Sequence, residues 1–103
     1  MGLAALLRRN AQTRADHPAF VFGARRTSWG TLLDRARRLA AVFSDQGVRP
    51  GDRIALLMAT SDRYFEAIHA VVWAGAIAVP MNIRLTPAEL VDNLADSAPA
   101  LLV

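Results

Sequence analysis

Histidines are the residues of this sequence whose type best fits acid–base catalysis, and there are two of them, His17 and His69. Neither has a nucleophile or an orienting carboxylate at a recognisable spacing, and no G-x-S-x-G or H-x-x-x-H pattern is present. We interpret His17 as a solvated turn residue. His69 is interpreted as a histidine packed or hydrogen-bonded at a helix interface, with a substrate contact as the alternative. The absence of cysteine excludes disulfides, zinc–thiolate sites and thiol catalysis.

Two carboxylates, Asp92 and Asp96, are four residues apart and fall on one face of a predicted helix. A cation site is one interpretation of this pair. Two solvated carboxylates are the favoured interpretation, because a calcium site needs several more oxygen ligands in register. The sequence therefore predicts no metal site.

The loop at residues 81–84, Met-Asn-Ile-Arg, follows a predicted strand. Ligands of open α/β sheets gather outside the carboxyl ends of the strands, so the Asn82 amide and the Arg84 guanidinium are candidates for a ligand contact. We favour Asn82 as a turn former and Arg84 as a tie to the backbone. Trp29 and Trp73, at helical positions, are interpreted as core anchors rather than ligand platforms.

Phosphate-binding loops of the G-x-x-x-x-G-K-[ST] or G-x-G-x-x-G type are missing, and the six glycines do not cluster. We accordingly predict no catalytic, cofactor-binding or metal-binding residue within the sequence. The net charge of +3 and pI near 11.0 raise the possibility of nucleic-acid binding. We do not favour it, because the twelve basic residues, all arginine, are scattered among acidic ones.

Apolar residues make up 53% of the chain and mean hydropathy is +0.24, so we expect some surfaces to be covered by further protein. No apolar run approaches the roughly 20 residues of a membrane span, and no secretory signal is evident, which favours the cytoplasm. The amino-terminal half predicts a helix over residues 3–14 and a hairpin with strands at 19–22 and 25–27. A longer helix then begins after an N-cap at Ser28 and stops near Gly47.

The second half alternates between strands and helices. Continuous apolar runs predict buried strands at 54–58 and 76–79 and a third apolar strand at 100–103, and the helices between them begin after Thr60 or Ser61 and at Pro87. The first of these helices has a broad apolar surface, to which Phe65, Ile68, Val72, Tyr64 and Val71 contribute. Thr86, Pro87 and Glu89 combine an N-cap, an N1 proline and a capping box for a helix ending near residue 96. This order predicts an α/β fold with a parallel sheet flanked by helices, and we expect the domain formed by residues 1–103 to continue beyond Val103.

Four segments taken together resemble the adenylate-forming acyl- and aryl-CoA synthetases, or AMP-binding enzymes. They are TSW at residues 27–29, GVRPGDRIA at 47–55, AGAIAVPMN at 74–82 and RLTPAEL at 84–90. The resemblance covers residues 11–103. It departs from the family at Thr60, where asparagine is common, and at Asp62, near which the family has proline.

The resemblance implies an enzyme that joins a carboxylate to AMP using Mg-ATP and then passes the acyl group to coenzyme A. It also implies that the phosphate loop, the adenine- and ribose-binding residues and the catalytic lysine lie downstream, so no catalytic residue is carried over to this chain. We expect these residues to act as scaffold for an acid–thiol ligase. The alternative is a free-standing α/β binding or interaction module without catalysis, and a small nucleic-acid binder is the third possibility.

Overall fold

Four helices and five short strands form the fold of this chain, for which the computed structural model describes residues 2–103. In chain order they are α1 Leu3–Thr13, β1 Pro18–Phe22, β2 Arg25–Ser28, α2 Trp29–Asp45, β3 Arg53–Leu56, α3 Asp62–Trp73, β4 Ile77–Pro80, α4 Pro87–Ser97 and β5 Leu101–Leu102.

The strands form two sheets. Strands β1 and β2 pair antiparallel as a hairpin, whereas β4, β3 and β5 form a parallel sheet in that order. Helix α3 connects β3 to its neighbour β4. Helix α4 then connects β4 to β5, which lies on the other side of β3. Because such crossovers are right-handed, α3 and α4 lie on opposite faces of the sheet. The predicted α/β class, with an amino-terminal helix, a hairpin and a β-α-β-α-β unit, is confirmed.

Helix starts were predictable because their capping residues are local. The Ser28 hydroxyl accepts a hydrogen bond from the Thr31 N–H at 3.2 Å, as expected of the N-cap of α2. Thr86 and Glu89 form the predicted capping box at the start of α4. Ser61, rather than Thr60, caps α3. Past the end of α2, Gly47 has φ +91°, a conformation that residues with a Cβ rarely adopt.

The core lies between β3 and the layer formed by α2 and α3. All of the apolar β3 side chains are buried, and small residues of the two helices let their backbones approach each other and the sheet. Each large side chain buried here contributes about 1.5–3 kcal/mol. The buried cluster includes Leu7, Leu32, Ala36, Phe43, Ile54, Leu56, Ala67, Ala70 and Val71.

The face that α3 presents to the core differs from the prediction. The apolar pattern placed Phe65 on the buried stripe, but its side chain is exposed at the core's edge and lies 5.6 Å from the Phe20 ring of the hairpin, measured between ring centroids. Ala67 and Ala70 face the core in its place. This helix therefore packs on the core through Ala67, Ala70 and Val71, and its Phe65 contacts the hairpin instead.

The strand at residues 76–79 was predicted to be buried on both faces, and within the described sheet this is wrong. Strand β4 is at the edge of the sheet, with β3 as its neighbour there, and Ile77 is 52% exposed. The first predicted strand, 54–58, is also shorter, ending at Leu56. Leu57 continues the pairing with the chain at β5 through one hydrogen bond, in which its N–H donates to the Val103 carbonyl at 2.8 Å.

Two turns pack tightly together at the amino end of the parallel sheet. The Gly51 N–H donates to the Gly75 carbonyl at 2.8 Å, and a Cβ on Gly75 would lie 3.4 Å from the Cβ of Pro50. That separation is an ordinary van der Waals contact, so the constraint that favours glycine at position 75 is its φ of +74°. The hairpin turn behaves differently, since nothing lies within 4 Å of a Cβ built on Gly23.

Candidate functional site

The carboxyl edge of the parallel sheet is where ligands of such sheets usually bind, and the loop at residues 81–84 lies there. The Met81 N–H donates to the Leu56 carbonyl at 2.9 Å, which fixes the loop against the end of β3. The Asn82 side-chain oxygen accepts the Arg84 N–H at 2.8 Å. Asn82 is therefore a turn former, as interpreted from the sequence.

Arg84 extends from this loop without a side-chain hydrogen bond or ion pair to the rest of residues 2–103. Its interpretation as a backbone tie holds only for its main-chain N–H. Arg53, which the sequence did not single out, makes such a tie instead, since its Nη1 donates to the Ser97 carbonyl at 2.9 Å. That bond joins the start of β3 to the end of α4.

A cleft of about 550 Å³ lies between α4, the loop after β4 and the adjoining strands. Its apolar lining comes from Val79, Pro80, Met81 and Leu85, whereas its polar lining includes Arg53, Asn82, Asn93 and Asp96. Asp96 is the one carboxylate there, so the cleft lacks the cluster of acidic oxygens that a hard cation needs. No group of three or more His, Cys, Asp or Glu residues within 2–103 is arranged to hold a metal.

Neither His17 nor His69 is among the residues that line the cleft. The His69 Nδ1 lies 2.7 Å from the Phe65 carbonyl one turn earlier in α3. Because a carbonyl only accepts, Nδ1 is the donor. The hydrogen bond predicted for His69 is thus present, but it lies within α3 and does not join α3 to another helix. His17 is exposed in the turn before β1, where its main chain bonds Arg14 and Trp29.

Two buried carboxylates, Asp62 and Glu66, are the charged groups that the sequence analysis missed. Arg25 of the hairpin donates from Nη2 to Asp62 Oδ1 at 2.8 Å. Arg35 of α2 donates from Nε to Glu66 Oε1 at 2.6 Å, and Arg63 approaches both Glu66 oxygens at 3.3 Å. The i, i+4 spacing of the two acids, which places them on one side of a mostly apolar helix, was the available signal. Their arginine partners satisfy them, which marks them as structural ties between elements.

Both tryptophans lie half-buried against the core, as predicted. The Arg8 guanidinium stacks over the Trp73 ring, 5.1 Å from its centroid. This cation–π contact fixes α1 to α3.

The family model described as AMP-binding enzyme matches residues 7–103. The chain belongs to the AMP-binding enzyme family. It is 38% identical over 95 residues to a feruloyl-CoA synthase of Amycolatopsis, and the match covers 92% of this chain and 19% of that protein. It is also 38% identical over 96 residues to a long-chain-fatty-acid–CoA ligase of Salmonella typhimurium, covering 91% of this chain and 17% of that one.

A solved structure of a benzoate CoA ligase from Burkholderia xenovorans superimposes on this chain with a TM-score of 0.90 at 34% identity. The match covers 99% of this chain and 21% of that structure. The chain thus spans about a fifth of the length of the ligases it resembles. The family resemblance inferred from the four sequence segments is confirmed.

The chain has no visible cradle for a nucleotide phosphate within residues 2–103. Its positive-φ glycines are distributed over four separate turns instead of one loop, and the Asn82 amide oxygen is already bonded within its own turn. Asp62 and Glu66, which could attract Mg²⁺, are neutralised by arginines. These residues do not fit a binding site for Mg-ATP.

Proposed function

We propose that this chain is the scaffold part of an ATP-dependent carboxylate–CoA ligase, which activates an acyl or aryl carboxylate as its adenylate and transfers the acyl group to coenzyme A. The observation that supports this most strongly is the family match over residues 7–103. Relatives named as ligases of ferulate, 3-hydroxybenzoate and long-chain fatty acids support a carboxylate substrate that is either aromatic or aliphatic.

In this proposal residues 1–103 form the N-terminal part of an AMP-binding domain, and ATP, Mg²⁺ and coenzyme A bind to other parts of the ligase. The chain's contribution is rigidity. Strand β3 and the α2–α3 layer hold the carboxyl edge of the sheet in place, and accurate positioning of reactants supplies much of the rate of such reactions. A cytoplasmic location belongs to the same proposal, since ATP and coenzyme A are supplied there.

A chimera tests the scaffold role. We would replace the matching 95 residues of the Amycolatopsis feruloyl-CoA synthase by the corresponding residues of this chain and measure ATP–pyrophosphate exchange and feruloyl-CoA formation. We expect both activities to persist in the chimera and to be absent from the 103-residue chain alone.

Circular dichroism and size-exclusion chromatography would establish that the chimera is folded before its activity is interpreted. A folded, monodisperse chimera without pyrophosphate exchange would contradict the scaffold role. Exchange catalysed by the isolated chain would contradict it from the other side, because the chain would then hold its own ATP site.

A further inference from the structure

Helix α1 has an inner side that is firmly attached to the fold. It packs against α2 and α3, with Leu7 buried in the core. The Arg8 guanidinium adds the contact with the Trp73 ring. The orientation of α1 about its own axis is therefore fixed, and so is the identity of the residues on its outer side.

The outer side of α1 combines apolar and cationic groups. Leu3 and Leu6 are 36% and 39% exposed, and Arg9 follows at the same i, i+3 spacing. A shallow groove of about 500 Å³ runs along this side from Leu6 to Arg14. Within residues 2–103, neither Arg9 nor Arg14 takes part in an ion pair.

Charge is separated between the two ends of the layered structure. Residues 2–15 contain three arginines and no acidic residue, whereas α4 contains Glu89, Asp92 and Asp96 and no basic residue. Helix α1 lies against the α2–α3 layer, and α4 lies on the opposite face of the parallel sheet. Arg53 and Arg84 lie beside α4 and offset part of its charge, so a negatively charged surface would attract the α1 side more strongly than the α4 side and would orient the molecule.

We propose that the outer side of α1, defined by Leu3, Leu6, Arg9 and Arg14, docks this protein on an anionic lipid surface. In that arrangement the two leucines enter the boundary between headgroups and acyl chains, and the two guanidinium groups bind lipid phosphates. The exposed leucines favour lipid over nucleic acid as the partner, because a phosphate backbone offers them no apolar contact. The docking is independent of the proposed ligase activity.

Co-sedimentation of the full chain with vesicles tests the proposal. Vesicles of phosphatidylglycerol and phosphatidylcholine in a 3:7 ratio would be compared with pure phosphatidylcholine, at low and at physiological salt. We expect partitioning onto the anionic vesicles only, weakening as salt rises. The double variant R9E/R14E should bind at least about tenfold more weakly, and L3Q/L6Q should also bind several-fold more weakly.

Matched variants on the other side of the molecule serve as controls. R84E makes the same kind of charge reversal after β4, and V91Q removes an apolar side chain of α4 that is 64% exposed. Both should bind vesicles like the parent chain, and far-ultraviolet circular dichroism should show that every variant is folded. No binding to anionic vesicles, or equal losses in R84E and in R9E/R14E, would overturn the proposal. It would also be overturned if L3Q/L6Q bound unchanged and duplex DNA competed the vesicles off, since the surface would then recognise polyanions in general.

Discussion

At the scale of single residues, the carboxylates of Asp62 and Glu66 are the groups whose surroundings matter most for stability. Both are buried, and burying a charge is costly unless it is paired and hydrogen-bonded. Arg25 and Arg35 come from the hairpin and from α2, so each ion pair also joins α3 to a different element. Removing an arginine would leave a buried carboxylate with fewer partners while its surroundings stay in place.

We expect Arg25→Gln to destabilise the fold by about 1–3 kcal/mol, because Asp62 would lose a charged donor inside the protein. The Asp62 side chain is 3% exposed and would keep only the Arg63 N–H at 3.0 Å. Half of the Arg25 side chain remains in solvent, which keeps the expected cost below that of a fully buried pair. Urea unfolding followed by circular dichroism would measure the difference in unfolding free energy.

Arg38→Gln is the matched control for that substitution. Its partner Asp34 is 58% exposed, and the 3.2 Å pair lies on the outer surface of α2. Exposed i, i+4 pairs contribute only about 0.3–0.5 kcal/mol. Equal shifts of the urea midpoint for the two variants would show that burial of Asp62 carries no special weight.

At the scale of elements, helices α2, α3 and α4 end in different ways. Helices α2 and α3 are followed by Gly47 and Gly75, both at positive φ, whereas α4 is followed by Ala98 in the left-handed region at φ +46°. A residue with a Cβ is strained there by roughly 1 kcal/mol. At the end of α4, alanine therefore occupies a backbone conformation that favours glycine.

Ala98→Gly should raise the unfolding free energy by about 0.5–1 kcal/mol, because glycine adopts the left-handed conformation without the Cβ penalty. Differential scanning calorimetry would report this as a rise of several degrees in Tm. Ala74→Gly makes the same chemical change at the C-cap of α3, where the backbone is right-handed at φ −72°. That control should lower Tm, and a rise in both variants would contradict the role of φ.

The capping box of α4 gives a second prediction at this scale. Thr86→Ala removes the acceptor of the Glu89 N–H bond at 3.2 Å and should cost about 0.5–2 kcal/mol. Thr86→Ser keeps a hydroxyl at the same position and should restore most of that loss. Hydrogen exchange of the amides in the first turn of α4 would measure both, and equal protection in the two variants would argue against the cap.

These elements also explain how much the sequence could predict. Caps and turns involve neighbours within four residues, so Ser28 was identified as an N-cap, and Thr86 and Glu89 were identified as a capping box. The pairing of Arg25 with Asp62 spans 37 residues, and that of Arg35 with Glu66 spans 31, so no local pattern reveals them. The core that α3 packs against is likewise formed by residues distant in the sequence, so the apolar pattern of the helix did not reveal that Phe65 lies outside it.

At the scale of the whole molecule, the fold has a well-packed centre and open margins. Strand β3 is flanked by two parallel neighbours and covered by α2 and α3, whereas β4 presents Ile77 at the sheet's edge. No residue of α4 is buried. Part of the apolar surplus noted in the sequence therefore lies at the sheet's edge and on α4, and an exposed strand edge is a template for pairing with another chain.

We expect Ile77→Lys to reduce self-association of the chain, because a charge on an edge strand opposes pairing between copies. Light scattering during concentration and mild heating would measure it. Val91→Lys adds the same charge on α4, away from the strand edge, and is the control for net charge. If Val91→Lys suppressed scattering as strongly as Ile77→Lys, total charge rather than the β4 edge would govern association.

The turn at Gly75 contacts Pro50 and is hydrogen-bonded to Gly51, whereas the turn at Gly23 is open, and this contrast bears on how the chain tolerates changes of length. An inserted peptide at residues 23–24 would project into solvent from the tip of the hairpin, where the adjacent Arg25 is paired with Asp62. The same insert after Gly75 would separate it from Pro50 and break the main-chain bond to Gly51. A fluorescent reporter or an affinity tag therefore belongs at the hairpin tip, and length variation among natural sequences should be concentrated there.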